Sequence, residues 1–225
     1  MTTQLPPGQI ERASMPRFGL DPFADRFPTV TDAVSLEIAG DVHQSFTLND
    51  PFADISRIDL TADFHCVTTW SVCNVTWSGY RFADLFHTVL APRTSGQIEW
   101  VILRCQDGFR AALPLVDMLQ PDVLLADQQD GAPLTIAHGA PLRLVAPAHY
   151  GYKNPKHVNR IELWTDERAY RPPGLRFMDH PRARVAQEER GRIFPGRLLR
   201  VLYRPLIART AKRFQRALDA HLAKR

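Results

Sequence analysis

The sequence predicts an α+β, β-rich chain: short strands, a few short helices, long ordered loops and a C-terminal helical extension. Three observations carry this. Apolar and polar residues alternate in several short runs between Val34 and Leu163. Helical spacings in the same stretch stay short, so strands do not alternate with the 10–15-residue helices of a parallel α/β fold. Beyond Trp164 the apolar period lengthens to that of a helix. The 225 residues allow one full domain plus an extension, or two small ones. With 44% hydrophobic and 23% charged residues, composition is ordinary for a globular chain and excludes global disorder. No run approaches the roughly 18–20 apolar residues of a membrane span.

Taken in order, residues 1–32 read as an extended arm, with five prolines in the first 30 positions and Phe18, Leu20, Phe23 and Phe27 as anchors. Residues 33–165 read as the main domain. Val34 to Ile38, Ser45 to Leu48 and Arg57 to Leu60 alternate as strands, and Asp50-Pro51 could cap one helical turn to Ile55. Apolar positions 82, 85, 86, 89 and 90 predict an amphipathic helix over 81–90. Ile98 to Leu103 and Gly108 to Leu113 form a predicted strand pair. Pro114 to Leu119 and Pro121 to Leu125 read as short helices, and Asp130-Gly131 as a turn. Leu142 to Val145 and Val158 to Leu163 are predicted strands. Residues 166–225 read as a basic, mostly helical extension, bent or broken at Pro205.

Charge is unevenly divided. Of 28 Lys+Arg and 24 Asp+Glu, residues 182–225 hold 13 and 3, leaving 15 and 21 for residues 1–181. The tail is strongly basic and the body mildly acidic, which argues against a nucleic-acid surface spread over the fold. The N-terminal stretch shows neither an apolar h-region nor a twin arginine, so no export signal is expected. Three cysteines are too few, and odd in number, for a disulfide scaffold. The expectation is a cytoplasmic protein with reduced thiols.

Two segments carry chemistry. In Asp63-Phe-His-Cys-Val-Thr-Thr-Trp-Ser71 a strand-like run enters a polar loop holding Cys66. A thiolate there can be a nucleophile or a soft metal ligand; the plain alternative is a small buried core residue. Adjacent His65 and Cys66 diverge, and no second pair has zinc spacing. Cys73 and Cys105 have no motif of their own and read as core. The second segment, His138-Gly-Ala-Pro-Leu-Arg143 and Ala148 to His157, gathers His138, Arg143, Lys153 and Lys156 in loops set by glycine and proline. Such loops suit an anion, although a solvated loop would look similar. Neither P-loop nor G-x-G-x-x-G spacing is present.

Together these segments resemble the catalytic domain of the sulfite-oxidase-fold molybdenum enzymes, most closely the single-domain bacterial molybdopterin-dependent oxidoreductases. The likeness rests on Asp63-x-x-Cys66-Val-x-x-Trp70-Ser71, Trp77-Ser-Gly79 through Leu85, Asp107-Gly108, Leu113-Pro-Leu115, Asp122 to Leu125, Asp130 to Leu134, His138-Gly-x-Pro-x-Arg143 and Gly151-x-Lys153-x-x-Lys156, in that order across about residues 33–165. The resemblance implies the sulfite-oxidase fold with mixed sheets and a molybdenum-molybdopterin cofactor. It implies Cys66 as the one protein ligand to molybdenum, His138 and Arg143 on the pterin and its phosphate arm, and Lys153, Asn154 and Lys156 on the terminal phosphate. It places Cys105 near the cofactor. Asp127 stands where animal and plant sulfite oxidases carry a tyrosine beside the metal, which would set a like charge against sulfite. Neither a b5-type haem motif nor the N-terminal cofactor-binding segment of the methionine-sulfoxide-reductase members is recognised.

The expected activity is oxygen-atom transfer on a small-molecule substrate, with electrons exchanged with an external carrier. Two alternatives stand beside it: a non-catalytic binding module acting through the basic tail, and a thiol enzyme using Cys66 as nucleophile. For residues 182–225 three readings are open: a helical appendage packed on the domain, peripheral contact with an anionic membrane, or an acidic protein partner. No nucleic-acid partner is expected.

Overall fold

The computed structural model describes residues 5–224. Its strands are β1 (Ile10–Glu11), β2 (Leu36–Gly40), β3 (Phe46–Leu48), β4 (Arg57–His65), β5 (Trp70–Arg81), β6 (Trp100–Cys105), β7 (Arg110–Pro114), β8 (Leu124–Gln129), β9 (Ala132–Pro133), β10 (Arg143–Val145) and β11 (Val158–Trp164). The α-helices are α1 (Phe82–Leu85), α2 (Leu115–Met118), α3 (Gly196–Tyr203) and α4 (Leu206–Leu222). One sheet runs β1-β5-β8-β10, with β4 also on β5 and β9 on β8; the other runs β3-β2-β11-β6-β7. Both are mixed, because β1 joins β5 and β2 joins β11 in parallel while the remaining pairs are antiparallel. This is the mixed-sheet, short-helix architecture expected of the sulfite-oxidase fold.

Two elements differ from expectation. Pro121 to Leu125 is not a helix: after a turn, Leu124 and Leu125 open β8. Leu124 and Ala126 pack into one apolar cluster and Leu125 into another, so β8 is buried on both faces. Two-sided burial turns a strand into a continuous apolar run that periodicity does not separate from a helix. Residues 51–55 make turns rather than a helical turn, yet still bury Phe52 and Ile55.

The larger cluster joins Leu36, Ile38, Val101, Leu103 and Ile161 of the second sheet to Phe82 and Leu85 of α1 and to Leu125 and Leu144 of the first sheet. The smaller lies on the other face of the first sheet and contains Cys66, Trp70, Val75, Trp77, Leu124, Ala126 and Met15. Met15 belongs to the N-terminal stretch, which adds β1 beside Trp70 and Ser71 and lays Phe18 edge-on against Trp70, 5.6 Å between ring centres. At the other end of the chain, α3 and α4 break at Pro205. Phe214 and Ala217 of α4 are buried with Ala24 and Phe27, tying that helix to the N-terminal stretch. Among the described residues no helix is long and apolar enough to cross a membrane.

Candidate functional site

Cys66 sits where β4 turns into β5. Its amide donates to the Trp70 carbonyl at 2.8 Å and its carbonyl accepts from the Thr69 amide at 3.1 Å, with Thr69 in the left-handed region at φ 80°. His65 Nδ1 and Ser71 Oγ, 2.7 Å apart, clamp the strand ends. Sγ lies 3.2 Å from Thr68 Oγ1. Burial pushes the thiol pKa up; hydrogen bonds from Thr68 and the charges of Arg190 and Lys156 pull the other way. Thr69 Oγ1 and Trp70 Nε1 are buried with no hydrogen-bond partner.

Of the two cations that act on Cys66, Lys156 follows β10 and stands beside Arg143, the first residue of that strand. Arg143 is fully buried. It donates through Nη1 to the His138 carbonyl at 2.9 Å and through Nε to the Leu144 carbonyl at 3.3 Å, and its guanidinium lies 4.6 Å from the Trp77 ring centre. Nη2 has no partner. Desolvation pulls its pKa down to about 9. Lys156 pairs with Arg143 in an isolated antiparallel bridge and donates to the Ala137 carbonyl at 2.9 Å. Burial, then the charges of Arg143 and Arg17, push Lys156 down to about 7, against the opposing pull of Asp107 and Cys66. Gly139, at φ +119°, makes this approach possible. A Cβ there would lie 3.0 Å from Arg143 Cβ and 3.2 Å from Lys156 Cβ, in a backbone conformation that favours glycine. His138 donates through Nε2 to the Met15 carbonyl at 3.0 Å, and burial lowers its pKa.

Cys66, Arg143, His138 and Lys156 are therefore one neighbourhood, and four other expected residues stand differently. Lys153 is fully buried but spent: its ammonium meets Asp179 at 3.2 Å and the Ala112 carbonyl at 3.0 Å. Asn154 is spent on backbone, accepting from the Ala146 amide at 2.6 Å and donating to the His149 and Tyr150 carbonyls, so it organises the β10–β11 crossover. Cys105 lies in the larger core cluster rather than with Cys66; burial raises its pKa well above the ordinary thiol value. Asp127 pairs with Arg57, whose guanidinium lies over Tyr80, and Tyr80 packs on the larger cluster.

Several residues at the site escaped the sequence reading. Buried Arg190 donates to the carbonyls of Val67 at 2.7 Å and Pro7 at 2.8 Å, tying the cysteine loop to both ends of the chain. Gln9 donates to the Cys66 carbonyl at 3.1 Å. Arg17 is buried, held by the carbonyls of Ala24 and Arg26, and its charge acts on Lys156 and His157. His157 donates through Nδ1 to the Ala140 carbonyl at 2.6 Å and is pushed down to about 4 by burial. No periodicity or spacing marks these residues. The one available signal was the density of arginine in otherwise irregular segments.

This arrangement is one buried soft sulfur beside a fully buried arginine and a partly buried lysine, neither of which forms an ion pair among the described residues. It suits an anionic group carrying a soft metal. A family model described as oxidoreductase molybdopterin binding domain matches residues 25–171. The uncharacterized oxidoreductase YuiH of Bacillus subtilis is 35% identical over 132 residues, 57% of this chain and 64% of that protein. The putative protein-methionine-sulfoxide reductase subunit YedZ1 of Azospira oryzae is 30% identical over 135 residues, 58% of this chain and 49% of that protein. The aligned part thus spans about half to two thirds of these relatives. The crystal structure of the sulfane dehydrogenase SoxCD from Paracoccus pantotrophus superposes with a TM-score of 0.51 at 21% identity, over 59% of this chain and 38% of that one, a likeness of fold.

Proposed function

The chain belongs to the oxidoreductase molybdopterin binding domain family, and from that premise we propose that it transfers an oxygen atom to or from a small substrate at a molybdenum ligated by Cys66, exchanging electrons with an external carrier. Its cofactor is molybdenum-molybdopterin.

The residues fit that group. Arg143 Nη2 is a buried donor with no partner, and neither Arg143 nor Lys156 has a carboxylate pair among the described residues. A buried cation in that state gains from a phosphate, because an anion restores what desolvation took away. Arg143 and Lys156 would hold the phosphate-bearing part, and Cys66 would ligate the metal through its sulfur. His138, oriented by Met15, sits between them in the chain and would hold the pterin. Bound, the cofactor supplies two-electron redox and oxygen-atom transfer. The protein excludes water: Met15, Trp70 and Trp77 enclose the Cys66 side, and Phe18 covers Trp70. Lys153, Asn154, Cys105 and Asp127 take no direct part in this reading, since each is already engaged or packed elsewhere. The three free cysteines accord with a reducing, cytoplasmic setting.

The observation that carries the proposal is the proximity of buried Cys66 to the uncompensated Arg143–Lys156 pair. Elemental analysis of wild type and Cys66→Ser, made in a host able to synthesise the cofactor, tests it. Wild type should carry stoichiometric molybdenum, and the variant should lose the metal or show an altered molybdenum spectrum. A well-folded wild type without molybdenum would overturn the proposal in favour of a binding module.

A further inference from the structure

α4 and α3 share one composition and use it in opposite ways. α4 turns Phe214 and Ala217 inward and carries Arg209, Lys212 and Arg216 outward. α3 buries Leu199 and Tyr203, but a second apolar face looks out. Leu198, Val201 and Leu202, at the i, i+3, i+4 spacing of one helix face, are 46%, 66% and 57% exposed, and Ile193, Phe194 and Leu206, which flank the helix in sequence, are exposed as well. Residues 191–218 contain eight Lys and Arg and no acidic residue. Arg197, Arg204, Arg209, Lys212 and Arg216 form no ion pair among the described residues.

We propose that residues 193–206 dock the protein on an anionic lipid surface. Scattered exposed apolar side chains are ordinary; three on one face of an eight-residue helix, with three more exposed within three residues of its ends, are not. What identifies the occupant is charge. A second copy of the chain would bring unpaired arginines against unpaired arginines. A bilayer carrying acidic headgroups takes the leucines, valine and phenylalanine at the acyl boundary and the guanidiniums at the phosphates, in one plane. Arginine suits this role because its stem lies along apolar surface while its head reaches the phosphate. The inference is independent of what Cys66 does.

Sedimentation of the full chain with phosphatidylcholine vesicles, with and without phosphatidylglycerol, tests it. The protein should pellet with the anionic vesicles only, and less as salt rises. Leu198→Gln with Leu202→Gln should weaken binding about tenfold or more, and Arg197→Gln with Arg209→Gln by about thirtyfold. Both double variants should keep the wild-type molybdenum content and unfolding temperature, since the replaced side chains are exposed. Equal pelleting of wild type and the leucine variant, or no preference for anionic vesicles, would overturn the proposal. So would either of two other results obtained without vesicle binding: self-association by analytical ultracentrifugation that the leucine variant abolishes, or binding only to immobilised polyglutamate.

Discussion

Lys153 and Lys156 leave the same crossover three residues apart and meet opposite fates. The Lys153 ammonium is held by Asp179 and the Ala112 carbonyl, with the rings of Tyr152 and Tyr170 5.4 and 5.7 Å away. The Lys156 ammonium has the Ala137 carbonyl and, instead of a carboxylate partner, two cationic neighbours in Arg143 and Arg17. Desolvation lowers both pKa values; Asp179 opposes it at Lys153 by charge and by hydrogen bond, whereas at Lys156 Asp107 opposes it by charge alone and less than Arg143 and Arg17 reinforce it. A buried charge with its counter-ion belongs to the fold. A partly buried charge beside like charges, with no ion pair among the described residues, is a cost that an anionic ligand removes. The difference separates scaffold from site within one loop.

Substitution at each position should break the symmetry between the two lysines. Lys153→Met leaves Asp179 without its partner. It should cost about 3 kcal/mol of stability in urea unfolding, as loss of one member of a buried pair does, and Asp179→Asn added to it should recover part of that. An unchanged unfolding midpoint would remove Lys153 from the scaffold. Lys156→Met should do the reverse. Ligand-free stability should be unchanged or improved as like-charge repulsion is relieved, while retention of the molybdenum cofactor falls about tenfold or more, the worth of a charge-assisted contact to phosphate.

The comparison sharpens with pH. In the ligand-free folded chain Lys156 gives up its proton near pH 7, whereas in the unfolded chain it does so near about 10.4. Between those values the unfolded state binds more protons, so Lys156 makes ligand-free stability rise with pH across that window; below it both states are charged and its cost is present in full. Lys156→Met should flatten this slope, and bound cofactor should flatten it too by returning the pKa upward. Urea titrations at several pH values measure it, and an equal slope in the variant would refute the assignment. The smallest effect is expected at Asp127→Asn. Its pair with Arg57 is a quarter to a third exposed, so the change should stay within about 1 kcal/mol and leave molybdenum content as in wild type. A marked loss of metal or turnover would return Asp127 to the site.

Legibility followed the range of the interactions. β2, β3, β6, β7, β10 and β11 follow runs that alternate or are bounded by turns, and the break at Pro205 follows from proline chemistry. β5 went unread because polar Ser71 and Ser78 are buried in it, and β8 because both its faces are covered. At the site, Cys66, His138, Arg143 and Lys156 stand in motifs whose spacing is local. Arg190 was invisible because its contacts with Val67 and Pro7 span 123 and 183 residues, and Arg17 because nothing near it in sequence announces its burial.

The sequence by itself determined the family, the fold class and the loops in which a soft sulfur and a set of cations occur, because motif spacing and residue chemistry are local properties. Only the tertiary structure decided which cation is neutralised and which is not. Asp179 lies 26 residues beyond Lys153, and chain folding alone brings it there rather than to Lys156. In a desolvated interior, the presence or absence of that one carboxylate separates a structural lysine from one prepared to bind.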